Sequence, residues 1–308
     1  MSENKDQLQH LDATTFQEPL GKLAEVIAQK VNREASKILK HSYVATDLYV
    51  LMRQMLHTYA LLFYLNADDR RQNDCYWRTS YSIVTLPLIR NMIDGLYNIT
   101  VILENPSVNG PWFRKSGFRK ALNALDEDNA RYGGQEKWDV WIEKNRQQID
   151  LEIRSVGLTM AEVLSQQLQW PTMGKYVSDK GPGGTITSHQ YFLKTFVLGP
   201  WREYSAMAHG AFEGLRLVGM YFIADSFPHD LRPKVEETHP QVLAMHIGRA
   251  AGVLLCTITE LQAYFHFDGA DINKRIHEMW AALMQVFEVK ELYDERYAQL
   301  MKDQGIFT

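Results

Sequence analysis

Three polar residues interrupt the apolar stretch from Cys75 to Leu103, at a spacing that places them on one side of a helix. Arg90, Asp94 and Asn98 are four residues apart, and at 100° per residue they spread over about 80° of the helix surface. Their neighbours are mostly Ile, Leu and Met. Because charged groups in apolar surroundings must be paired and hydrogen-bonded, the spacing predicts polar partners on another helix.

A second polar stripe follows Gly199. Arg202, Ser205 and His209 lie at i, i+3 and i+7, and two turns of helix bring i+7 back to within about 20° of i. We expect the two stripes to face each other. Asp94 would then pair with Arg202 or with His209, and Arg90 would remain to bind an anion. Arginine offers a planar fork of donors and histidine exchanges protons near neutral pH, so the chemistry indicated is that of a phosphate or carboxylate site.

The same residues have a structural interpretation. In that interpretation Arg90, Asp94 and His209 form a buried polar network that fixes the register of the two helices and binds nothing. The sequence alone leaves both alternatives open.

The two stripes also carry a resemblance to an uncharacterised family of bacterial helical proteins. In that family one helix reads R-x3-[E/D]-x3-N, usually with Glu at the second position, and a later helix reads Y-S-x3-H. The resemblance implies a shared site but no established activity. The matching candidates for binding are Arg90, Asp94, Asn98, Tyr204 and Ser205, followed by His209.

A broader resemblance rests on Arg202 and His209 alone. Their R-x6-H spacing is similar to the signature of HEPN ribonucleases, which are helical proteins of toxin–antitoxin and phage-defence systems. The resemblance implies a homodimer that cleaves RNA through the 2′-hydroxyl without a metal. Arg202 would hold the phosphate and His209 would transfer the proton, both as catalytic residues. Glu203 departs from the small polar or amide residue more common there.

Composition limits the function classes further. The net charge of −4 and the pI near 6.2 provide no global positive field for nucleic acid, so RNA binding would need a local basic patch or two subunits. The two cysteines, Cys75 and Cys256, are expected to be small buried hydrophobes in a reducing compartment. The polar N-terminus has no apolar signal region. We therefore expect a cytoplasmic protein with no membrane span, no metal and no cofactor, and with RNA or a small anion as its partner.

Helical periodicity runs through almost the whole chain and predicts an all-α fold, an irregular bundle of about eight to ten helices. We expect a flexible segment over residues 1–14 and a single helical domain over 15–308. Within that domain, charged helices at 112–156 would be peripheral and 170–199 would be an irregular loop covering a site or merely connecting. The core helices are predicted at 43–65, 75–103, 199–224 and 240–265.

Overall fold

The fold is built from helices and short connections. The computed structural model describes residues 17–71, 78–166, 169–180, 184–210, 212, 232–284 and 287–303. Over those ranges the chain is helical without a strand, which confirms the predicted all-α bundle. The predicted segment 1–14, Cys75 and the predicted helix end near Ala224 lie outside the described residues.

Five helices occupy the first half of the chain. The first continues through a wider turn at Val31–Ala35 and a last turn at Ser36–Ile38. The bounds are α1 Glu18–Lys30, α2 Ser42–Arg71, α3 Arg78–Glu104, α4 Pro106–Tyr132 and α5 Glu136–Ser155.

Shorter helices follow, except for the long α10. Wider turns at Leu193–Val197 and Tyr293–Tyr297 join α8 to α9 and α12 to α13. The bounds are α6 Met160–Leu164, α7 Met173–Ser178, α8 Ser188–Phe192, α9 Leu198–Ala208, α10 Arg232–Phe265, α11 Ala270–Leu283, α12 Phe287–Leu292 and α13 Ala298–Asp303.

Helix α3 is the central element, because α2, α9 and α10 all pack against it. Its apolar residues, such as Ile89 and Met92, are buried. Gly95 allows α2 to approach closely, since a Cβ there would lie 2.6 Å from Cγ of Met55. None of the helices in the described ranges is long and apolar enough to cross a membrane.

A second, smaller core lies between α4, α5 and the segment that carries α6. It contains Phe118, Leu122, Ile153, Leu158 and Val163. Helix α5 buries only Ile142 and Ile153, whereas α4 also packs against α3.

Some predicted boundaries are wrong. The charged helices were expected from residue 112, but α4 begins at Pro106, because proline at the first helical position fixes a helical φ. The expected irregular stretch 170–199 contains α7 and α8. Helix α8 starts at a capping box in which Thr187 and Gln190 satisfy each other's backbone N–H groups. A second capping box, formed by Thr159 and Glu162, begins α6.

Candidate functional site

The facing stripes of α3 and α9 meet in a compact polar network. Nε of Arg90 donates to Oγ of Ser205 at 2.6 Å, and the guanidinium forms an ion pair with Asp94. The guanidinium also lies 4.4 Å from the ring centroid of Trp201. The Trp201 indole N–H donates to Asp94 at 3.2 Å, and the Ser205 hydroxyl donates to the Trp201 carbonyl at 2.6 Å. Arg90 is therefore bound on its face and on its edge by its own chain.

The prediction that the two stripes face each other is confirmed, but the predicted pairing is wrong. Asp94 pairs with Arg90 and Trp201, whereas the sequence suggested Arg202 or His209. The reason is helical phase. Trp201 and Ser205, one turn apart, form the docked stripe, and the next residue after Trp201 is rotated by about 100°. That rotation turns Arg202 away from α3.

Arg202 and His209 both lie on the solvent-exposed edge of α9. Within the described part of the chain, neither side chain has a hydrogen bond or an ion pair. An offset of about 20° and a rise of about 10 Å separate them along the helix. Gly210, with φ +61°, ends the helix directly after His209. The imidazole therefore stands at a fixed helix end in open solvent.

The residues between them hold α9 in place. Tyr204 is fully buried, and its hydroxyl lies 2.6 Å from Nδ1 of His246. Glu203, the residue that departs from the HEPN pattern, forms a salt bridge with Arg249 at 3.0 Å. Tyr204 is thus a core residue and not an exposed binding group. His246 and Arg249 were not identified from sequence, although a Tyr hydroxyl in an apolar helix indicates that some partner exists.

Asn98 belongs to a different part of the surface. Its side-chain oxygen accepts a hydrogen bond from the indole N–H of Trp170 at 2.9 Å. The neighbouring Tyr97 hydroxyl donates to the carbonyl of Pro171 at 2.7 Å. The stripe of α3 is therefore divided, with Arg90 and Asp94 facing α9 and Asn98 facing the segment before α7.

A buried ion pair that sequence reasoning missed ties α10 to the last helices. Arg296 donates to both carboxylate oxygens of Glu260, at 2.6 and 3.0 Å, and Tyr297 adds a bond at 2.9 Å. Only 4% of Glu260 and 12% of the Arg296 side chain are exposed. A Glu within the apolar run around Leu261 was the available signal. Cys256 is also buried, as predicted, and burial raises the pKa of its thiol to about 12.

A half-buried carboxylate on α2 is paired across to α4. Asp47 accepts from Nε of Arg114 at 2.9 Å and from Nη2 at 2.5 Å. Burial raises the pKa of Asp47 to about 6, against the opposing effect of Arg114.

The ionisable groups at these places include those of arginine, histidine, aspartate and glutamate. Across the described ranges, no group of three His, Cys, Asp or Glu side chains is arranged to hold a metal ion. No protein-family model, curated protein or solved structure matches this chain.

Proposed function

We propose that the protein is a HEPN-like, metal-independent endoribonuclease of bacterial defence or stress type, acting in the cytoplasm as a homodimer. The observation that supports the proposal is the contrast on α9. Arg202 and His209 are exposed and have no partner within the described ranges, whereas the helix that carries them is held by buried contacts on its other side. A catalytic pair needs free functional groups on a rigid support.

The proposed reaction uses the RNA's own 2′-hydroxyl. His209 takes the proton of that hydroxyl, the oxygen attacks the adjacent phosphorus, and the bond from phosphorus to the 5′-oxygen breaks. The leaving oxygen takes a proton from a second imidazole, that of His209 in the other copy of the chain. Arg202 binds the non-bridging oxygens, where charge develops. The products are a 2′,3′-cyclic phosphate and a 5′-hydroxyl.

A dimer would also supply the positive charge for RNA binding that one copy of the chain lacks. The chain has a net charge of −4, so one copy has little general attraction for RNA. A dimer that brings two Arg202 side chains together concentrates positive charge where the phosphate must bind.

The test is cleavage of end-labelled RNAs in the presence of a chelator, with product ends identified. We expect wild type to produce cyclic phosphates, and His209→Ala and Arg202→Ala to lower the rate by about 10²-fold or more. Arg131→Ala is the matched control, because Arg131 is an exposed helical arginine with no partner in the described ranges. Its cleavage rate should equal that of wild type. Wild type inert toward every RNA, or His209→Ala as active as wild type, would overturn the proposal.

A second candidate is a non-catalytic binding or scaffold protein. It is favoured by the internal pairing of Arg90 with Asp94 and Ser205, which has the form of a structural network. This alternative predicts no turnover of RNA and no growth toxicity on expression in bacteria. It also predicts a loss of stability of about 1–3 kcal/mol if His209 belongs to the network.

A further inference from the structure

A cavity of about 420 Å³ lies between α4 and the segment before α7, away from Arg202 and His209. Its size is within the usual range for a pocket that holds one small molecule. The walls combine aromatic rings, amides and a cation. They include Asn98, Phe113, Phe118, Lys120, Gln169 and Trp170.

The aromatic wall is preformed. Phe113 packs edge-on against Trp170 with ring centroids 5.1 Å apart, and Trp112 holds the other side of Trp170 at the same distance. The indole N–H of Trp170 is fixed by Asn98. Rings held in this way offer apolar faces and edges to a planar ligand without having to be ordered first.

Polar groups that are still available surround this wall. The oxygen of Asn98 is occupied by Trp170, but its NH₂ group has no partner in the part of the chain that the structure describes. The amide of exposed Gln169 is equally free there, as is the ammonium group of Lys120. Arg114, by contrast, is tied to Asp47. The cavity thus combines amide donors and acceptors with one unpaired cation.

Gly117 forms an exposed part of the cavity wall. It lies in the interior of the 27-residue α4 and lines the cavity, and a Cβ added to it would have no atom within 4 Å. Gly110 in the same helix is different, because a Cβ there would lie 2.4 Å from Val44. Packing explains Gly110. No packing contact requires glycine at 117, where it weakens the helix, so the position can be substituted to test the cavity.

We infer that this cavity binds a nucleotide. The base would pack against the ring face of Phe113 or of Trp170, since every base has a π-face. The amides of Asn98 and Gln169 would bond to its edge, as amides do in base recognition, and Lys120 at the rim would bind the phosphate. The nucleotide is either a free monophosphate or the 5′-phosphorylated end of an RNA strand. The inference does not depend on the ribonuclease proposal, because it shares no residue with Arg202 and His209.

Titration calorimetry of the full chain tests it, using the four ribonucleoside 5′-monophosphates, with adenosine and inorganic phosphate as half-ligands. We expect at least one monophosphate to bind more tightly than either half-ligand. Lys120→Gln should weaken that binding by about tenfold, as expected for a bond to a charged group. Lys137→Gln, on α5 away from the cavity, should leave it unchanged.

The most informative variant is Gly117→Leu, which adds a bulky side chain to the cavity wall at a position where a Cβ has no atom within 4 Å. It should abolish nucleotide binding while its melting temperature is equal to or above that of wild type. Gly21→Leu is the matched control, because Gly21 is also helical with no atom within 4 Å of a Cβ and lies elsewhere. Binding that survives Gly117→Leu, or no binding by wild type at millimolar nucleotide, would overturn the inference.

A last arm separates the two sources of the ligand. A short single-stranded RNA with a 5′-phosphate is titrated into His209→Ala, which prevents cleavage if the ribonuclease proposal holds. Binding of the strand that is lost in Gly117→Leu supports an RNA end. Binding of mononucleotides without the strand supports a free nucleotide. Failure of both arms counts against the cavity alone and leaves Arg202 and His209 untouched.

Discussion

Helix α9 carries two sets of polar side chains that differ in what surrounds them. On its docked side, Ser205 and Trp201 bind Arg90 and are part of the contact with α3. On its exposed side, Arg202 and His209 contact no polar group of the described chain. The first set stabilises the fold, and the second contributes little to it. A polar stripe read from sequence therefore contains two kinds of residue, and stability measurements can separate them.

The largest loss of stability should come from a buried polar pair outside α9, the Glu260–Arg296 ion pair. Arg296→Met leaves a carboxylate that is 4% exposed without its cation, and breaking a buried pair from one side lowers the free energy of unfolding by about 3–5 kcal/mol. Urea denaturation measures this loss. The double variant Glu260→Gln/Arg296→Met should recover much of it, because no buried charge remains. If Arg296→Met were as stable as wild type, the pair would contribute as little to stability as an exposed ion pair.

Asp47 provides a second test of a buried group, through the dependence of the free energy of unfolding on pH. Its pKa is raised from 3.8 to about 6 in the folded protein, chiefly by burial, so the folded state holds a proton there that the unfolded state has lost. Its contribution to stability is therefore full below about pH 4 and disappears as the pH rises to about 6. The change is on the order of 2–3 kcal/mol.

Asp47→Asn removes this titration, so the variant serves as the reference for wild type. The free energy of unfolding is measured for both proteins from pH 4 to pH 7. The stability of wild type relative to Asp47→Asn should fall across the interval, whatever the other carboxylates do, since they are common to both. Parallel profiles would mean that Asp47 is as well solvated as a surface carboxylate.

Arg90 should have an intermediate effect. Arg90→Met keeps the length of the side chain but removes the bonds to Ser205 and Asp94, and a loss of about 1–3 kcal/mol is expected for hydrogen bonds to a charged group. The loss is smaller than for Arg296 because Asp94 is 42% exposed and regains water. Arg202→Met is the matched control on the outer edge, with a change of less than about 0.5 kcal/mol. If Arg90→Met and Arg202→Met lost equal stability, the docked and exposed sides of α9 would not differ in their contribution to the fold.

Helical periodicity was sufficient to predict the fold class and the place of α3 among the core helices, because apolar spacing records which face of a helix is buried. It also predicted that the stripes of α3 and α9 face each other. It could not predict the rotation of each helix about its own axis to better than one residue. A difference of one residue places Trp201, and not Arg202, opposite Asp94. Tyr204, expected in the site, is in the core for the same reason.

Contacts between distant segments were beyond the reach of the sequence. Arg296 meets Glu260 across 36 residues, and Trp170 meets Asn98 across 72. No local pattern encodes such pairs, because they depend on how whole helices dock. Helix α8, within the stretch expected to be irregular, was missed for a related reason. The wider turn at Leu193–Val197 joins α8 to α9 in one continuous helical path, and no apolar periodicity marks that path in the sequence.

The smallest expected change in stability, and the one that bears most directly on function, is that of His209→Ala. The imidazole is exposed and has no partner in the described ranges, so the free energy of unfolding should change by less than about 0.5 kcal/mol. Thermal melting of the variant is measured beside growth of bacteria that express it. A stable variant that has lost the toxicity of wild type places His209 in a working site. A loss of 1–3 kcal/mol would instead make His209 part of the inner network and favour the scaffold function, because a side chain that contributes nothing to the fold cannot destabilise it when removed.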